Sequence, residues 1–361
     1  MTTASPALSL AIPTFNRHAS LNRLLESIER ALAHSDGSAV EIVVADNGSD
    51  DDTPSVLRHW QTRLGIRVHR QPSNVGVERN LATLIEISRG SYVWFSGDDD
   101  LLAEDVFEWL VPLVERGSSD LYIVPAARLD APANNTAVSF GLTAPVRQPL
   151  RRLMDRFGLF GLLGGLGHPV FRRSGLDHFE RFVAMDTLYP HTFSLAASFH
   201  DRPAEMLTRT AFLTPVMDAV TYEAYARRWH AETKNHPMGV VRATLELHRL
   251  GAVGDDAPPS FFKRYFNEPL PIHYFAYHEL ARRIFFEVYR PGQSEWSDLE
   301  RFFGLLRDDR YASIFAEIRR SFIELEAARQ RVADLCSRPP AIGFGPAWPD
   351  DGATAKDRTR P

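Results

Sequence analysis

The sequence predicts an α/β fold in which a mostly parallel sheet carries helices on both faces, followed by a helical carboxyl-terminal region. Apolar runs of strand length alternate with segments of helical periodicity through residues 8–124. Three of the predicted strands are followed directly by polar loops. Beyond residue 222, apolar residues recur mainly at helical spacing. This pattern is typical of one α/β domain with a helical extension.

The predicted strands are short apolar runs that end in polar or turn-forming residues. They cover residues 8–12, 41–45, 66–69, 92–95 and 121–124. Between them, apolar side chains three or four residues apart predict helices, and the first such stripe runs from Leu21 to Leu32. Thr53 and Pro54 predict the start of the second helix, because threonine caps helices and proline suits the first helical position.

The pattern changes beyond residue 147. A helix is predicted at residues 150–157, and the glycine-rich residues 158–167 that follow form either a mobile loop or a tightly packed turn. Further helices are predicted at residues 277–288 and 314–325, and the segment from residue 337 has the composition of a disordered tail. We therefore expect a first domain of residues 1–215, a helical region of residues 216–336 and a tail of residues 337–361.

Composition excludes several classes of function. The chain has 361 residues, a formal net charge of −5 and one cysteine. This charge provides no general attraction to nucleic acid or to an anionic membrane, and one cysteine cannot form an internal disulfide. The most apolar long run without a charge, residues 157–171, contains five glycines and is shorter than the ~20 residues that span a bilayer. We expect a cytoplasmic protein with no transmembrane segment and no nucleic-acid partner.

Three polar loops define a candidate site. Residues 14–17, 46–49 and 97–100 each follow a predicted strand. Ligands of open parallel sheets bind at the carboxyl ends of the strands, where these loops would meet. The sequence therefore predicts a binding site at this edge of the sheet.

The acidic cluster, Asp98, Asp99 and Asp100, suggests a metal site. Adjacent carboxylates repel one another unless a cation binds them. Mg²⁺ commonly joins one or two carboxylates to substrate phosphates, and Mn²⁺ accepts the same ligands. The alternative is a solvated loop that caps the helix predicted to begin near residue 103. The position of the cluster after a buried strand, beside two other polar loops, favours the metal site.

Other residues of these loops could bind a nucleotide. Asp46 could accept a hydrogen bond from a base, or it could form an Asx turn, and both can be true of one residue. Residues 74–80 begin a predicted helix. Arg79 could contact a diphosphate, because its guanidinium presents several donors in a fixed fork, and Asn80 could position a loop or a ribose. The alternative is that Asn74 caps this helix and that Arg79 is solvated.

Four motifs in order resemble those of the family 2 glycosyltransferases with the GT-A fold. They are residues 12–17, 43–51, 74–80 and 95–100. The resemblance covers about the first 115 residues, with weaker similarity to about residue 205. It implies a nucleotide-diphosphate sugar donor, a divalent metal such as Mn²⁺ or Mg²⁺, and inversion at the anomeric carbon.

The resemblance also implies roles for individual residues. Those that would line the nucleoside are Pro13, Thr14, Asn16 and Asp46. The acidic cluster would bind metal and diphosphate, with Asp99 and Asp100 assigned to the metal and Asp98 to the donor. The remaining donor-binding candidates are Arg17, Asn74 and Arg79. Family members often carry aspartate where this chain has Gly97. The Gly-Asp-Asp-Asp sequence of this chain is similar to that of abequosyltransferase-like members.

An inverting transfer also needs a base for the acceptor. The resemblance implies an acidic residue in a loop before a helix, and Asp186 is the candidate. Its alternative role is to cap that helix. His191 could bind the metal or support the site, although an isolated histidine is more often structural, and His168 and His200 are weaker candidates of the same kind.

Two other functions compete with a glycosyltransferase. One is a non-catalytic nucleotide-sugar-binding protein on the same fold. The other is a sugar-1-phosphate nucleotidyltransferase, which residues 13–17 disfavour because they contain no glycine. The acceptor is not identified by the sequence. The carboxyl-terminal helices could cover the acceptor site, form their own core or form a homo-oligomer contact.

Overall fold

The computed structural model describes residues 5–35, 37–128, 137–138, 140, 142–187, 189–214, 236–255, 292–305 and 309–337. These residues divide into two compact units, with the boundary between Ala312 and Ser313. The first unit contains both sheets and the helices up to residue 305. The second contains most of the last described helix.

The elements alternate between strand and helix in the first half of the chain. The strands are β1 Leu8–Thr14, β2 Val40–Asp46, β3 Arg67–Arg70, β4 Tyr92–Phe95, β5 Leu101–Leu102, β6 Leu121–Ile123, β7 Ala126–Arg128, β8 Ala137–Val138, β9 Val146–Pro149, β10 Pro169–Arg172, β11 Pro203–Met206 and β12 Phe212–Thr214. The helices are α1 His18–Ala33, α2 Thr53–Leu64, α3 Val77–Ile87, α4 Val106–Arg116, α5 Leu150–Phe157, α6 Leu159–Leu163, α7 Phe179–Val183, α8 Pro190–Phe199, α9 His236–Arg249, α10 Gln293–Leu305 and α11 Asp309–Ser337.

The main sheet has the strand order β3-β2-β1-β4-β10-β6-β11-β9. Strands β3, β2, β1 and β4 are parallel neighbours, and β6 and β11 are also parallel. Strand β10 is antiparallel to both β4 and β6, and β9 is antiparallel to β11. A smaller sheet has the order β5-β12-β7-β8. The predicted mostly parallel sheet is confirmed, and β10, which was not predicted from the sequence, joins its two parallel parts.

The core explains why these segments form strands and helices. Strands β1 and β4 are almost wholly buried, as expected for parallel strands covered on both faces. The apolar stripe of α1 from Leu21 to Ala31 packs into the same core. Helices α2 and α4 are followed directly by Gly65 and Gly117, whose φ angles of 66° and 60° are left-handed and favour glycine.

The structure confirms some of the predicted helix boundaries and differs from others. The helix predicted at residues 150–157 is α5. The glycine-rich segment that follows contains the buried helix α6, and Trp94 Nε1 donates a hydrogen bond to the Gly167 oxygen (2.7 Å), so the packed alternative describes it. The helix predicted near residue 103 begins at Val106, because residues 101–102 pair with β12 as β5.

Two expectations concern the carboxyl-terminal region. The helix predicted at residues 314–325 lies within α11, whereas the one predicted at residues 277–288 lies outside the described residues. In the part of the chain that the structure describes, no helix is both long and apolar enough to cross a membrane.

Candidate donor-binding and metal site

The three polar loops meet at the carboxyl ends of β1, β2 and β4. Thr14 and Asp46 are partners in the parallel register of β1 and β2, and each is the last residue of its strand. Thr14 Oγ1 donates a hydrogen bond to Asp98 Oδ2 over 2.8 Å, which joins the end of β1 to the loop after β4. The parallel topology therefore brings together side chains that are up to 84 residues apart.

Asn16 holds the loop after β1 against the loop after β2. Its φ of 53° is left-handed, a conformation that asparagine tolerates better than most residues. Its Nδ2 donates to Asp50 Oδ1 (2.7 Å), and its Oδ1 accepts from the Asp50 amide (2.9 Å). The Asn16 amide donates to Ser49 Oγ (2.9 Å). Through these contacts, Asn16 fixes the two loops to each other.

Asp46 has one satisfied and one unsatisfied carboxylate oxygen. Oδ1 accepts from the Ser49 amide (3.0 Å), which closes the predicted Asx turn. Oδ2 accepts no hydrogen bond from the described residues, and Arg70 Nε lies 3.4 Å away. Because buried polar atoms are normally hydrogen-bonded, this oxygen is suited to accept a donor from a ligand.

The acidic cluster is built from two buried carboxylates and one that is a third exposed. Asp98 and Asp100 are 7% and 8% exposed, whereas the Asp99 side chain is 32% exposed. Arg17 bridges two of them, with Nε 3.2 Å from Asp98 Oδ1 and Nη2 2.7 Å from Asp99 Oδ2. Thr214 Oγ1 donates to Asp100 Oδ1 (3.1 Å). Each carboxylate therefore has a defined position.

Burial makes the ionised cluster unfavourable in the absence of a cation. Burial, against the opposing charge of Arg17 and with repulsion from Asp99, raises the pKa of Asp98 to about 6. Burial, with repulsion from Asp99, raises the pKa of Asp100 to about 7. A bound cation would favour the ionised forms of both groups.

Gly97 allows two carboxylates to fold back over the loop. A Cβ atom at this position would lie 3.0 Å from Asp100 Oδ2 and 3.1 Å from Asp99 Oδ1, closer than most real Cβ contacts. An aspartate at this position, as in many family 2 glycosyltransferases, would displace them. A larger residue 97 would therefore require these two carboxylates to shift by a few tenths of an ångström.

The residues present fit a hard divalent ion. They offer carboxylate oxygens, which Mg²⁺ and Mn²⁺ prefer. Among the described residues, no group of three or more histidine, cysteine, aspartate or glutamate side chains is arranged as a complete metal site. The cluster thus suits an ion whose remaining ligands come from water and substrate phosphates, as Mg²⁺ often has.

Two predicted donor-binding residues, Asn74 on the loop before α3 and Arg79 within α3, have their partners away from the acidic cluster. Asn74 Oδ1 accepts from the Gly76 amide and from Asn47 Nδ2, both over 2.9 Å, and α3 begins after Gly76. Arg79 Nη1 pairs with Glu180 Oε2 of α7 over 2.6 Å, and both side chains are more than half exposed. In this arrangement Arg79 contacts the α7 side of the molecule.

Asn80 secures α3 to the sheet. Its Nδ2 donates to the Ala45 oxygen (2.8 Å), and its side chain is buried. A ribose contact was one expectation for this residue from its place in the sequence. The structure favours a packing role, because the amide is turned toward β2.

Asp186 lies in an exposed turn between α7 and α8. Its φ of 53° is left-handed. Helix α8 begins at Pro190, and Tyr189 is the residue before it, so Asp186 is not the cap of this helix. The residue as a whole is exposed.

The three histidine candidates occupy structural positions. His191 is buried, its ring lies 6.4 Å from that of Phe95, and its Nε2 is 3.3 Å from the Gly164 oxygen. Burial lowers the pKa of His191 to about 4, which keeps it neutral. His168 is buried against the Val124 oxygen (2.8 Å), and His200 contacts Ala197 and Asp201. These positions favour the structural alternative.

Two residues near the predicted site were not identified from the sequence. Arg70 lies at the end of β3, where the same strand-end rule could have found it. Thr214 contacts Asp100 across 114 residues of sequence, and no local pattern marks it. The pairing of β12 with β5 brings Thr214 to the cluster.

Comparisons with known proteins support the sequence resemblance. Residues 9–165 match the model of the family described as glycosyl transferase family 2. Abequosyltransferase RfbV of Salmonella typhimurium is 24% identical over 208 residues, 54% of this chain and 61% of that protein. A GalNAc(5)-diNAcBac-PP-undecaprenol beta-1,3-glucosyltransferase of Campylobacter jejuni is 30% identical over 120 residues, 32% of this chain and 37% of that protein. The chain spans less than two thirds of the length of these relatives.

Solved structures support the fold. The structure of S. aureus TarS 1-349 in complex with UDP-GlcNAc matches with a TM-score of 0.55 at 13% identity, covering 90% of this chain and 91% of that chain. The complex of the same protein with UDP has a TM-score of 0.55 at 14% identity. At this identity the likeness concerns the fold alone, and the predicted GT-A fold is confirmed.

Proposed function

We propose that this chain, whose residues 9–165 match family 2 of the glycosyl transferases, is an enzyme that transfers a sugar from a nucleotide-diphosphate donor to an acceptor nucleophile. The observation that carries the proposal is the acidic cluster at the end of β4, tied to the β1 loop by Thr14 and Arg17. A divalent ion held by Asp99 and Asp100 would neutralise charge on the departing diphosphate.

The donor is proposed to lie along the β1 and β2 loops. Asp46 Oδ2 is buried and accepts no hydrogen bond from the described residues. It would accept a hydrogen bond from an N–H group of the nucleotide base. Pro13 and Thr14 would line the nucleoside from β1. TarS is described in complexes with UDP and UDP-GlcNAc, which makes uridine diphosphate sugars the first donors to test.

Two arginines are proposed to bind the diphosphate. Arg17 already lies between the β1 loop and the acidic cluster, and its guanidinium can donate several hydrogen bonds to phosphate oxygens. Arg79 would have to leave Glu180 to take part. Because that ion pair is exposed, breaking it costs about 1 kcal/mol or less.

Asp186 is the proposed base. It would accept the proton of the acceptor nucleophile while the sugar–phosphate bond breaks, and attack from the opposite face would invert the anomeric centre. Its exposed turn is open to an acceptor. His191 is buried and neutral, so we assign it a packing role behind β4 rather than proton transfer.

The function can be tested by donor turnover. A thermal-shift panel of nucleoside diphosphates and UDP-sugars, with and without Mn²⁺ or Mg²⁺, identifies the donor, because ligands of the folded state raise its stability. With that donor, Asp99→Asn and Asp100→Asn should slow release of the nucleoside diphosphate about 100-fold or more. Asp177→Asn, an exposed aspartate outside the site, is the control. Parent-like turnover in both cluster variants would exclude the proposed metal role.

A non-catalytic binding protein is the main alternative. It would bind the donor by calorimetry yet release no nucleoside diphosphate to water or to any acceptor. The retained carboxylates of the acidic cluster and the exposed Asp186 favour the enzyme. A nucleotidyltransferase is disfavoured because the β1 loop, residues 13–17, contains no glycine.

A further inference from the structure

Helix α9 packs directly on the turn that carries Asp186. This turn, residues 184–186, follows α7, and α9 lies beyond the residues matched by the family model. Asp186 has a left-handed φ of 53°, which most residues other than glycine avoid. Such conformations persist where surrounding structure enforces them, and they concentrate at functional sites.

Gly239 is the point of closest approach between α9 and the turn. A Cβ atom on Gly239 would lie 2.5 Å from the backbone oxygen of Met185 and 2.7 Å from the carbonyl carbon of Asp186, and closer still to the Asp186 oxygen. Real Cβ atoms essentially never approach other atoms this closely. Only glycine at this position lets α9 reach the backbone of Asp186.

An ion pair also connects α9 to α7, the helix that precedes this turn. Arg181 of α7 places Nε 2.8 Å from Glu246 Oε1, and the Glu246 side chain is 8% exposed. Glu246 also accepts two hydrogen bonds from Arg249, which lies one turn later on α9 itself. Arg181 therefore connects α7 to α9, whereas Arg249 adds a contact within α9.

We propose that α9 positions Asp186: the close approach at Gly239 and the Arg181–Glu246 ion pair hold the turn in the conformation that presents the carboxylate to the acceptor. Gly239, Arg181 and Glu246 are positioning residues, since they act through Asp186. The inference rests on the proposed function, in which Asp186 is the base. It gives the helical carboxyl-terminal region a part in the reaction.

The test compares Gly239→Ala with Gly304→Ala. Gly304 lies in helix α10, and a Cβ atom added there would meet no other atom within 4 Å, so alanine fits. In the free protein, hydrogen exchange of residues 181–190 should accelerate in Gly239→Ala and not in Gly304→Ala. With UDP-GlcNAc and Mn²⁺ as the probe, or the donor found by thermal shift, hydrolysis of the donor should fall about tenfold in kcat while its KM changes less than about twofold.

A second pair of variants tests the inference even if Gly239→Ala does not fold. Arg181→Gln removes the ion pair between α7 and α9, whereas Arg249→Gln removes only the contact within α9. Arg181→Gln should lower kcat about threefold, and Arg249→Gln should leave kcat at the parent value. The inference is overturned if Arg181→Gln has the same kcat as Arg249→Gln and Gly239→Ala has the same kcat as Gly304→Ala.

Asp186→Asn separates this inference from the proposed function. If Asp186→Asn and Gly239→Ala are both slow and both bind the donor like the parent, the inference is supported. If Asp186→Asn is slow but Gly239→Ala and Arg181→Gln are not, the inference alone is wrong. If Asp186→Asn turns over at the parent rate, the base assignment fails, and the inference fails with it.

Discussion

Arg17 occupies the position of a counter-ion between two members of the acidic cluster. Its Nη2 lies 2.7 Å from Asp99 Oδ2, and its Nε lies 3.2 Å from Asp98 Oδ1. The Arg17 side chain is 38% exposed, so it can leave the cluster without unfolding its surroundings. A divalent ion that binds Asp99 must compete with this guanidinium.

Removing Arg17 should therefore strengthen metal binding in the absence of donor. We expect Arg17→Gln to tighten Mn²⁺ binding about fivefold, the equivalent of a partly exposed ion pair of about 1 kcal/mol. Mn²⁺ binding is measured by electron paramagnetic resonance at about pH 8, where both raised carboxyls are ionised.

Arg23→Gln is the matched control for this experiment. Arg23 lies on α1, the helix that begins directly after Arg17, but its guanidinium contacts Ser20 rather than the cluster. If both variants tighten Mn²⁺ binding equally, the effect is general electrostatics, and direct competition by Arg17 is excluded.

The buried carboxyl of Asp100 should make the metal-free protein less stable as pH rises. Its pKa, raised to about 7 by burial and Asp99, exceeds its ordinary value, so the folded state binds more protons than the unfolded state between about pH 4 and 7. The free energy of unfolding therefore falls with rising pH in this window. Asp100→Asn removes this effect and should stabilise the protein at about pH 8 by on the order of 4 kcal/mol.

Denaturant unfolding of both proteins in the presence of a chelator measures this difference. The difference in the free energy of unfolding between Asp100→Asn and the parent should shrink toward pH 5. At that pH the carboxyl of the folded parent is protonated and is as neutral as the amide. The asparagine can still accept the hydrogen bond from Thr214 Oγ1, so that contact does not differ. A difference that is constant with pH would contradict the raised pKa.

The hydroxyl of Thr214 should support metal binding through Asp100. Thr214→Val removes the donor of the 3.1 Å hydrogen bond and should weaken Mn²⁺ binding about fivefold, since one such bond contributes about 1 kcal/mol. Thr214→Ser keeps the hydroxyl and should bind Mn²⁺ like the parent. Titration calorimetry measures the Mn²⁺ affinity of the parent and both variants. Equal affinities would show that the Thr214 hydroxyl does not support metal binding.

The edge of the sheet that carries the site could be predicted from sequence because it follows from local patterns. Strand-length apolar runs predicted β1, β2 and β4, and the polar residues after them had to share one edge of a parallel sheet. The family 2 motifs then implied the class of donor. The Asx turn at Asp46 could also be predicted from the sequence, since Asp-Asn-Gly forms such turns readily.

Other parts of the site depend on contacts between distant segments. No local pattern indicates that β10 enters the sheet antiparallel, because its short apolar run follows a glycine-rich segment. The pairing of Arg79 with Glu180 and the burial of His191 likewise depend on how α7 and α8 pack.

The sequence by itself determined the α/β class, the strand-end loops and the acidic residues, because periodicity and turn chemistry act over a few neighbouring residues. Only the tertiary structure decided what each carboxylate touches. Arg17 joins Asp98 and Asp99, Thr214 reaches Asp100, and Gly239 meets the Asp186 turn, across separations that no local pattern encodes. The physical reason is that burial and ion pairing, which set the charge state of the cluster, arise when distant segments exclude water together.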